Sequence, residues 1–415
     1  MCGSMVSKSP RLKDGYTFYE LEIGLNRREW LRISAIMGAL ASSIVTGLGK
    51  PNPLRLMKLK GSYPSSVRSE AIDNILAAAG LTAGNIPGAA VLVVNDGKIL
   101  FQHGYGVAAL HSKRRIDART NFRMASCTKQ FTAMAIMLLV HDGKLRYDDR
   151  VTEVFPDFPE YGRQITIRNL LNHTSGLQDY EDLMSPANPA IPVEQIQIHD
   201  SGVLNLLKQQ KSTKFAPGSK WAYSNSGYVL LGLLAQKVSG RSFPEFLHDR
   251  IFEPLNMSST LAYVRGENNI PNRAFGYSLE GQSWKETDQS PTSATLGDGG
   301  VYSSLEDLAK WDRALRRNTL LSKQEMQPAL TPVKVPDGQV TGPDGLPAAY
   351  GFGWFLNPHR GHQRAWHYGE TVGFRTTIQR FTADDLTIII LCNRADLNPS
   401  ALALQVADLY LARSA

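Results

Sequence analysis

Between residues 89 and 105 the chain reads AAVLVVNDGKILFQHGY, two apolar runs on either side of Asn95-Asp96-Gly97. Turn residues of this kind supply the positive φ angles that a tight hairpin needs, so the pattern predicts two antiparallel strands. Upstream, SVRSEAIDNILAAAG has helical spacing of its apolar positions and a closing glycine, Gly80. Residues 126–141 contain no glycine or proline and read as a helix, with Gly143 just beyond its end. From about residue 145 to 290 helical segments alternate with polar turn clusters such as SPANPAIP. SSLEDLAKWDRAL, from Ser303, places Ser304 ahead of an acidic first turn, the pattern of a capped helix. Strand-like runs return in AAYGFGWFL, QRAWHYG, GFRTTIQRF and LTIIILCN, and SALALQVADLYLA closes the chain as a helix.

Strands at both ends and helices between them predict an α+β fold. Its antiparallel sheet is built from both chain ends and flanked by helices, and a mostly helical lobe of about residues 145–290 is inserted in the middle. A site is expected in the cleft between the lobes.

Composition narrows the function. Of 415 residues 42% are hydrophobic and 20% charged, enough for a large core and too few charges for a disordered chain. The net charge of +7 is scattered, with small clusters at Lys113-Arg114-Arg115 and Arg316-Arg317. No basic stripe interleaved with aromatics is present, so no nucleic-acid partner is expected. Cys2, Cys127 and Cys392 fit neither a disulfide framework nor a zinc pattern, and the last two sit in or beside apolar runs as small core residues.

The first 50 residues carry NRREWLRISAIMGALASSIVTGLG, in which the pair Arg27-Arg28 precedes a moderately apolar run. This resembles a twin-arginine export signal. The run is diluted by Ser, Gly and Thr, which disfavours a stable transmembrane span. Residues 1–50 are therefore expected to be an export leader, 51–66 a linker rich in Pro, Gly, Ser and Lys, and 67–415 the main domain, for which the motifs below argue a catalytic role. The expected location is periplasmic or otherwise exported. Ala39-Leu40-Ala41 has the chemistry of a cleavage site, and an uncleaved leader would leave the protein associated with a membrane.

FRMASCTKQFTA, residues 122–133, holds three candidate nucleophiles in a row: Ser126, Cys127 and Thr128. A weak nucleophile needs a base within reach, and on a helix residues three and four apart share a face. Ser126 finds Lys129 at that spacing. Cys127 finds Gln130 and Phe131, Thr128 finds Phe131 and Thr132, and none of these is a base. Cys127 also points roughly 100° away from the serine. Spacing therefore selects Ser126.

Two further clusters follow, Tyr223-Ser224-Asn225 in WAYSNSGY and His367-Tyr368-Gly369 in WHYGETVGF. Ser126-x-x-Lys129, Tyr223-x-Asn225 and His367-x-Gly369 together resemble, in order and spacing, the serine β-lactamase-like superfamily. The likeness is to its class C and D-Ala-D-Ala-carboxypeptidase-like branch, with the related esterases and D-aminopeptidases. LLNHTSGL from Leu170 and GDGGVYSS from Gly297 look like further landmarks of that family, and the resemblance spans roughly residues 70 to 412.

The resemblance implies a β-lactamase/transpeptidase-like fold and a serine hydrolase that cleaves an ester or amide through an acyl-serine at Ser126, with no cofactor, and the leader at Arg27-Arg28 makes it an exported one. A non-hydrolytic, penicillin-binding-like module that binds or senses wall peptides needs the same Ser126 and Lys129 and is the alternative. The partner in either case is a small-molecule or peptide substrate. Only about 4 × 10⁻⁴ of an unperturbed lysine is neutral at pH 7, a deficit of roughly 4.6 kcal/mol if neutral Lys129 is the base. Burial would reduce it. Tyr223 is the other candidate base, since a phenol beside an ammonium ionises more readily, and the sequence leaves the role open between the two. The expected oxyanion donors are the N–H of Ser126 and, by resemblance, that of Glu370. Asn225 is expected to bind the acyl-side amide or to order the Lys129–Tyr223 pair, and Gly369 to let substrate approach the strand.

His367 stands where true β-lactamases carry the lysine of a Lys-Thr-Gly motif. With an unperturbed pKa of about 6.5 it is mostly neutral at pH 7, which disfavours β-lactams and favours esters or amides lacking a carboxylate there. His359, His362 and His367 in HRGHQRAWH come without an acidic or cysteine ligand, so no metal site is expected. His173 reads as a hydrogen-bonded structural histidine. No G-x-S-x-G elbow, P-loop or dinucleotide fingerprint is present.

Overall fold

The computed structural model describes residues 65–82, 84–185, 191–343 and 345–411. The expected leader and most of the linker lie outside the described residues, which belong to one compact unit, Tyr63–Ala415.

The first hairpin forms as its turn chemistry requires. Strand β1 (Ala89–Asn95) pairs with β2 (Lys98–Tyr105), and the two residues between them, Asp96 (φ 50°) and Gly97 (φ 72°), are both left-handed. The rest of the main sheet comes from far along the chain. Strands β3 (Arg364–Thr371), β4 (Phe374–Phe381) and β5 (Leu386–Cys392) form an antiparallel meander. Strand β5 pairs with β1 in the register Ala89↔Cys392 through Asn95↔Leu386, giving the order β3-β4-β5-β1-β2.

Strand β1 is apolar and buried from Ala89 to Val94 because both its faces are covered. Val91 and Val93 meet helix α1 (Ser65–Ala78) and the closing helix Pro399–Ala407 in a core with Ile72, Leu76, Ile388, Ile390 and Ala403. Ala90, Leu92 and Val94 join the larger core on the other face. There helix α2 (Lys129–His141) and helix Leu305–Arg317 contribute Phe131, Ile136, Leu308 and Trp311. Ser304 caps the second of these by accepting from Asp307 N at 3.4 Å.

The middle of the chain supplies short helices, among them Ile167–Leu171, Tyr180–Leu183 and Asp200–Lys208, and one long helix, α3 (Asn225–Ser239). It also holds a hairpin, Tyr277–Glu280 with Ser283–Glu286, so the helical character ends before residue 290.

Two expectations change. AAYGFGWFL is not a strand: it makes isolated bridges, Tyr350↔Phe355 and Phe355↔Trp366, around a turn at Gly353 (φ 77°). A Cβ at Gly353 would stand 2.8 Å from Lys129 O, so the turn packs against the backbone of α2. The segment 126–141 is not one uniform helix either. Residues Ala125–Thr128 form a tighter 3₁₀ turn that leads into α2.

Candidate active site

The 3₁₀ turn sorts the three nucleophile candidates. Ser126 keeps part of its surface exposed, whereas Cys127 and Thr128 are fully buried. Thr128 Oγ1 accepts from Val301 N at 3.1 Å, tying the turn to the segment after Gly297. The Cys127 thiol lies 3.6 Å from both His367 O and Thr376 Oγ1. Burial pushes its pKa up to about 12, so it holds almost no thiolate at neutral pH. Ala125, the residue before Ser126, is itself left-handed (φ 45°), an uncommon conformation for a residue with a Cβ.

Lys129 begins α2 and is fully buried. Its Nζ has three partners: Ser126 Oγ at 3.0 Å, Asn225 Oδ1 at 2.8 Å and Asp298 O at 3.0 Å. It also lies over the Tyr223 ring, 4.8 Å from the centroid. Burial lowers its pKa from 10.5 to about 8, against an opposing pull from Asp298, Asp179 and Glu181. About a tenth of Lys129 is then neutral at pH 7, and the deficit falls to roughly 1.4 kcal/mol.

Tyr223 precedes α3, with its ring against the lysine. Its hydroxyl is buried beside Ser126 and makes no hydrogen bond of ordinary geometry among the described residues. Burial dominates and raises its pKa well above 10, with Ser126 pulling weakly the other way. The expected easing of its ionisation by Lys129 does not emerge: the cation faces the ring rather than the oxygen, and desolvation of a phenolate outweighs it.

Asn225 is the first residue of α3, which Ser224 caps by accepting from Gly227 N at 3.1 Å. Its Nδ2 reaches Glu181 Oε1 at 3.3 Å, and its backbone N–H donates to Asp179 Oδ2 at 2.9 Å. Asp298 closes the far side, where Oδ2 accepts from the Tyr180 hydroxyl at 3.0 Å. Three carboxylates from two segments, Asp179 and Glu181 on one and Asp298 on the other, thus surround one ammonium. Burial, then Asp179 and Asp298, raise the Glu181 pKa to about 7, although part of its side chain reaches solvent. Asp179 is also raised, chiefly by burial. Asp179 and Glu181 carried no motif of their own, and Asp298 stands in GDGGVYSS without an assigned role; each gains its meaning from a lysine distant in sequence.

Strand β3 lies against the nucleophile turn. A Cβ at Gly369 would stand 2.2 Å from Met124 O and 3.2 Å from Ala125 Cβ. Gly369 therefore makes room for the turn that carries Ser126. Along the same strand Trp366 exchanges both backbone hydrogen bonds with Phe355, at 2.8 and 2.9 Å, on the side away from β4. Alternation points the N–H groups of Tyr368 and Glu370 the same way, off the open edge of the sheet. The Glu370 carboxylate pairs with its cross-strand neighbour Arg375 at 2.9 Å.

His367 departs most from expectation. It is fully buried and does not present its ring as a substrate contact. Nδ1 donates to Tyr368 O at 2.6 Å, which leaves Nε2 to accept from the Tyr350 hydroxyl at 3.1 Å. Burial and nearby Lys129 lower its pKa to about 3. It is neutral at any physiological pH and braces Tyr350.

The loop histidines do have acidic neighbours, contrary to expectation. His359 pairs with Asp408 and His362 with Asp384, each at 2.9 Å. Among the described residues His248, Asp249 and Glu253 gather potential metal ligands, but Asp249 there already pairs with Arg241 and His248.

A sequence profile of the Beta-lactamase family matches residues 72–412. The chain belongs to the β-lactamase family. Among its relatives in that family is penicillin-binding protein 4* of Bacillus subtilis (strain 168), 34% identical over 319 residues, 74% of this chain and 68% of that protein. A D-aminopeptidase of Brucella canis is 29% identical over 308 residues, 74% of this chain and 56% of that protein, so the match covers little more than half of the peptidase. An octameric penicillin-binding protein homologue from Pyrococcus abyssi superposes with a TM-score of 0.69 at 27% identity, covering 84% of this chain and 77% of that one. The α+β architecture is that of the β-lactamase fold, and the protein is a serine hydrolase of the family.

Proposed function

We propose that the protein cleaves esters or amides through an acyl-serine at Ser126, with neutral Lys129 as the base. One observation carries this reading: of the three atoms bonded to Lys129 Nζ, two can only accept. Neutral Lys129 has two N–H groups and one lone pair. Donating to Asn225 Oδ1 and Asp298 O uses both hydrogens. The lone pair is left for Ser126, the one partner with a proton to give.

In the acylation step Ser126 Oγ attacks the acyl carbonyl while its proton passes to Lys129. The backbone N–H groups of Ser126 and Glu370 take the developing oxyanion. Lys129 then protonates the leaving group, with the Tyr223 hydroxyl beside Ser126 placed to pass the proton on. A water repeats the sequence to release the acid and restore Ser126.

The preferred substrates lack a carboxylate beside the scissile bond. His367 is neutral, and the groups clustered at Lys129 are acidic: Asp179, Glu181 and Asp298. Such a field repels an anionic substrate and favours neutral acyl groups or acyl groups bearing an amine. The D-aminopeptidase name of the Brucella relative fits that preference. For location, Arg27-Arg28 and the apolar run after them support export to the periplasm or beyond, with membrane association if the leader is retained. No helix among the described residues is long and apolar enough to cross a membrane.

The test is turnover. The protein is mixed with excess short-chain p-nitrophenyl ester, a D-amino-acid p-nitroanilide and a cephalosporin, and product is counted per protein molecule. Many turnovers on the first two and few on the third are expected. A single burst equal to the protein concentration would support instead a module that acylates without deacylating. Efficient cephalosporin hydrolysis would overturn the substrate preference.

A further inference from the structure

Among the described residues the Tyr223 hydroxyl makes no hydrogen bond of ordinary geometry, yet the proposed reaction needs it beside Ser126. Its position must come from the backbone on either side and from the rings around it. Both trace to one residue. His173 O accepts from Ala222 N at 3.0 Å, and His173 Nδ1 accepts from Ser224 N at 3.2 Å. The peptide N–H groups immediately before and after Tyr223 are thus both held by His173. The same imidazole lies 4.4 Å from the Tyr223 ring, centroid to centroid, and within 4.6 and 5.1 Å of Tyr350 and Tyr228.

The chemistry of the imidazole suits this grip and no other role. Nδ1 accepts a peptide N–H, so the ring's one proton sits on Nε2 and the ring is neutral. Nε2 is buried with no hydrogen-bond partner among the described residues, and the residue is fully buried, out of reach of a reacting atom. A protonated imidazole would lose the acceptor, and burial holds the pKa well below 6.5. His173 also adopts a left-handed backbone, φ 61°, which turns its carbonyl and its side chain toward the same strand of chain. The segment that follows continues the clamp, with Gly218 N donating to Thr174 O at 2.8 Å and Lys214 N to Gly176 O at 2.6 Å.

We propose that His173 is a positioning residue for Tyr223, fixing the phenol against Lys129 and Ser126 by holding the peptide groups on both sides of it. This rests on the role given to Tyr223 above. His173 touches no reacting atom; its effect on rate passes through Tyr223 alone.

Two variants divide its functions. His173→Asn removes the ring but offers Oδ1 as an acceptor at a similar reach, and asparagine tolerates a left-handed backbone. His173→Phe keeps a ring and removes the acceptor. Acylation by an activated ester is measured in a single turnover, and melting temperature is followed in parallel. His173→Phe should lower the acylation rate by about a hundredfold, the scale of a small misplacement of a reacting group, with KM changed less than about threefold. His173→Asn should stay within about tenfold of the parent.

The decisive arm is the Tyr223→Phe background. There His173→Phe should cost less than about threefold more, because the group it positions is already gone. A full and independent loss in that background would overturn the inference, as would folded His173→Asn protein as slow as Tyr223→Phe. If Tyr223→Phe is slow and His173→Phe is not, the positioning role alone falls. If Tyr223→Phe acylates as fast as the parent, the role of Tyr223 itself falls, and the inference with it.

Discussion

Asn225 Oδ1 stands 2.8 Å from Lys129 Nζ, and the other end of the same amide reaches Glu181 at 3.3 Å. A neutral amide therefore separates the base from a carboxylate that would otherwise pair with it. Replacing that amide by a charge should show what the separation does. Asn225→Asp puts a carboxylate directly against Nζ, which favours the ammonium and raises the lysine pKa by about one to three units. The acid limb of the kcat/KM profile should move to higher pH by the same amount, with the plateau at high pH largely kept. An unmoved limb would mean that Lys129 is not the group that titrates.

The parent's own pH profile follows from the direction of the shifts. The active base is neutral Lys129, whose pKa is lowered to about 8. Activity should be full above about 8 and fall about tenfold per unit as pH drops below it. His367, at about 3, contributes no inflection between pH 5 and 7, and burial pushes the His173 pKa well below 6.5. Tyr223, raised well above 10, adds none on the alkaline side below pH 10. A break near pH 6.5 that disappears in His367→Gln would contradict the buried, neutral histidine.

Burial separates Ser126 from Cys127 as nucleophiles. Ser126→Ala should abolish covalent labelling by a serine-directed phosphonate. Cys127→Ala should keep most of the activity, and thiol reagents should leave the folded parent active, since the thiol is fully buried and its pKa is pushed up to about 12. Whole-protein mass spectrometry after labelling reads both outcomes. Inactivation by thiol reagents that Cys127→Ala prevents would reverse the assignment.

Gly369 carries a structural demand. A Cβ there would stand 2.2 Å from Met124 O and 2.3 Å from Thr376 Oγ1, too close for any side chain. Gly369→Ala should lower unfolding stability by about 1–3 kcal/mol and shift the strand edge away from Ser126. The rate should fall more than KM rises. An alanine variant with parental stability and rate would show that strand and turn are further apart than the structure places them.

The leader makes a separate, cell-level prediction. Replacing Arg27 and Arg28 by lysine should leave the full chain in the cytoplasm, folded and active in lysate. Unchanged export, read by fractionation, would remove the twin-arginine assignment.

Local chemistry was legible in the sequence. Asp96 and Gly97 make the hairpin turn because their own backbone preferences decide it. Ser126 and Lys129 meet because a helical turn brings residues three apart together. What depends on distant segments was not legible. His367 reads as a cleft residue until Tyr350 and Tyr368 are seen to take both its nitrogens. The third partner of Lys129 is a carbonyl, Asp298 O, and a backbone atom leaves no trace in residue type. The tight turn at Gly353 reads as a strand because its aromatic neighbours, Phe352, Trp354 and Phe355, look like strand residues whichever way the backbone runs.

The pairing of β1 with β5 bears on how the molecule is made. Ala89 faces Cys392, so the centre of the sheet joins stretches at nearly opposite ends of the chain. As the polypeptide leaves the ribosome, β1 finds β2 at once, but its other flank waits while most of the remaining protein is synthesised. Through that interval an apolar strand stands with an open edge, the kind of surface that joins neighbouring chains on a crowded polysome. Yield should therefore respond to chaperone supply and to slower growth more than to substitutions around Ser126. Losing even the last 30 residues would remove the central β5 and, with it, the sheet.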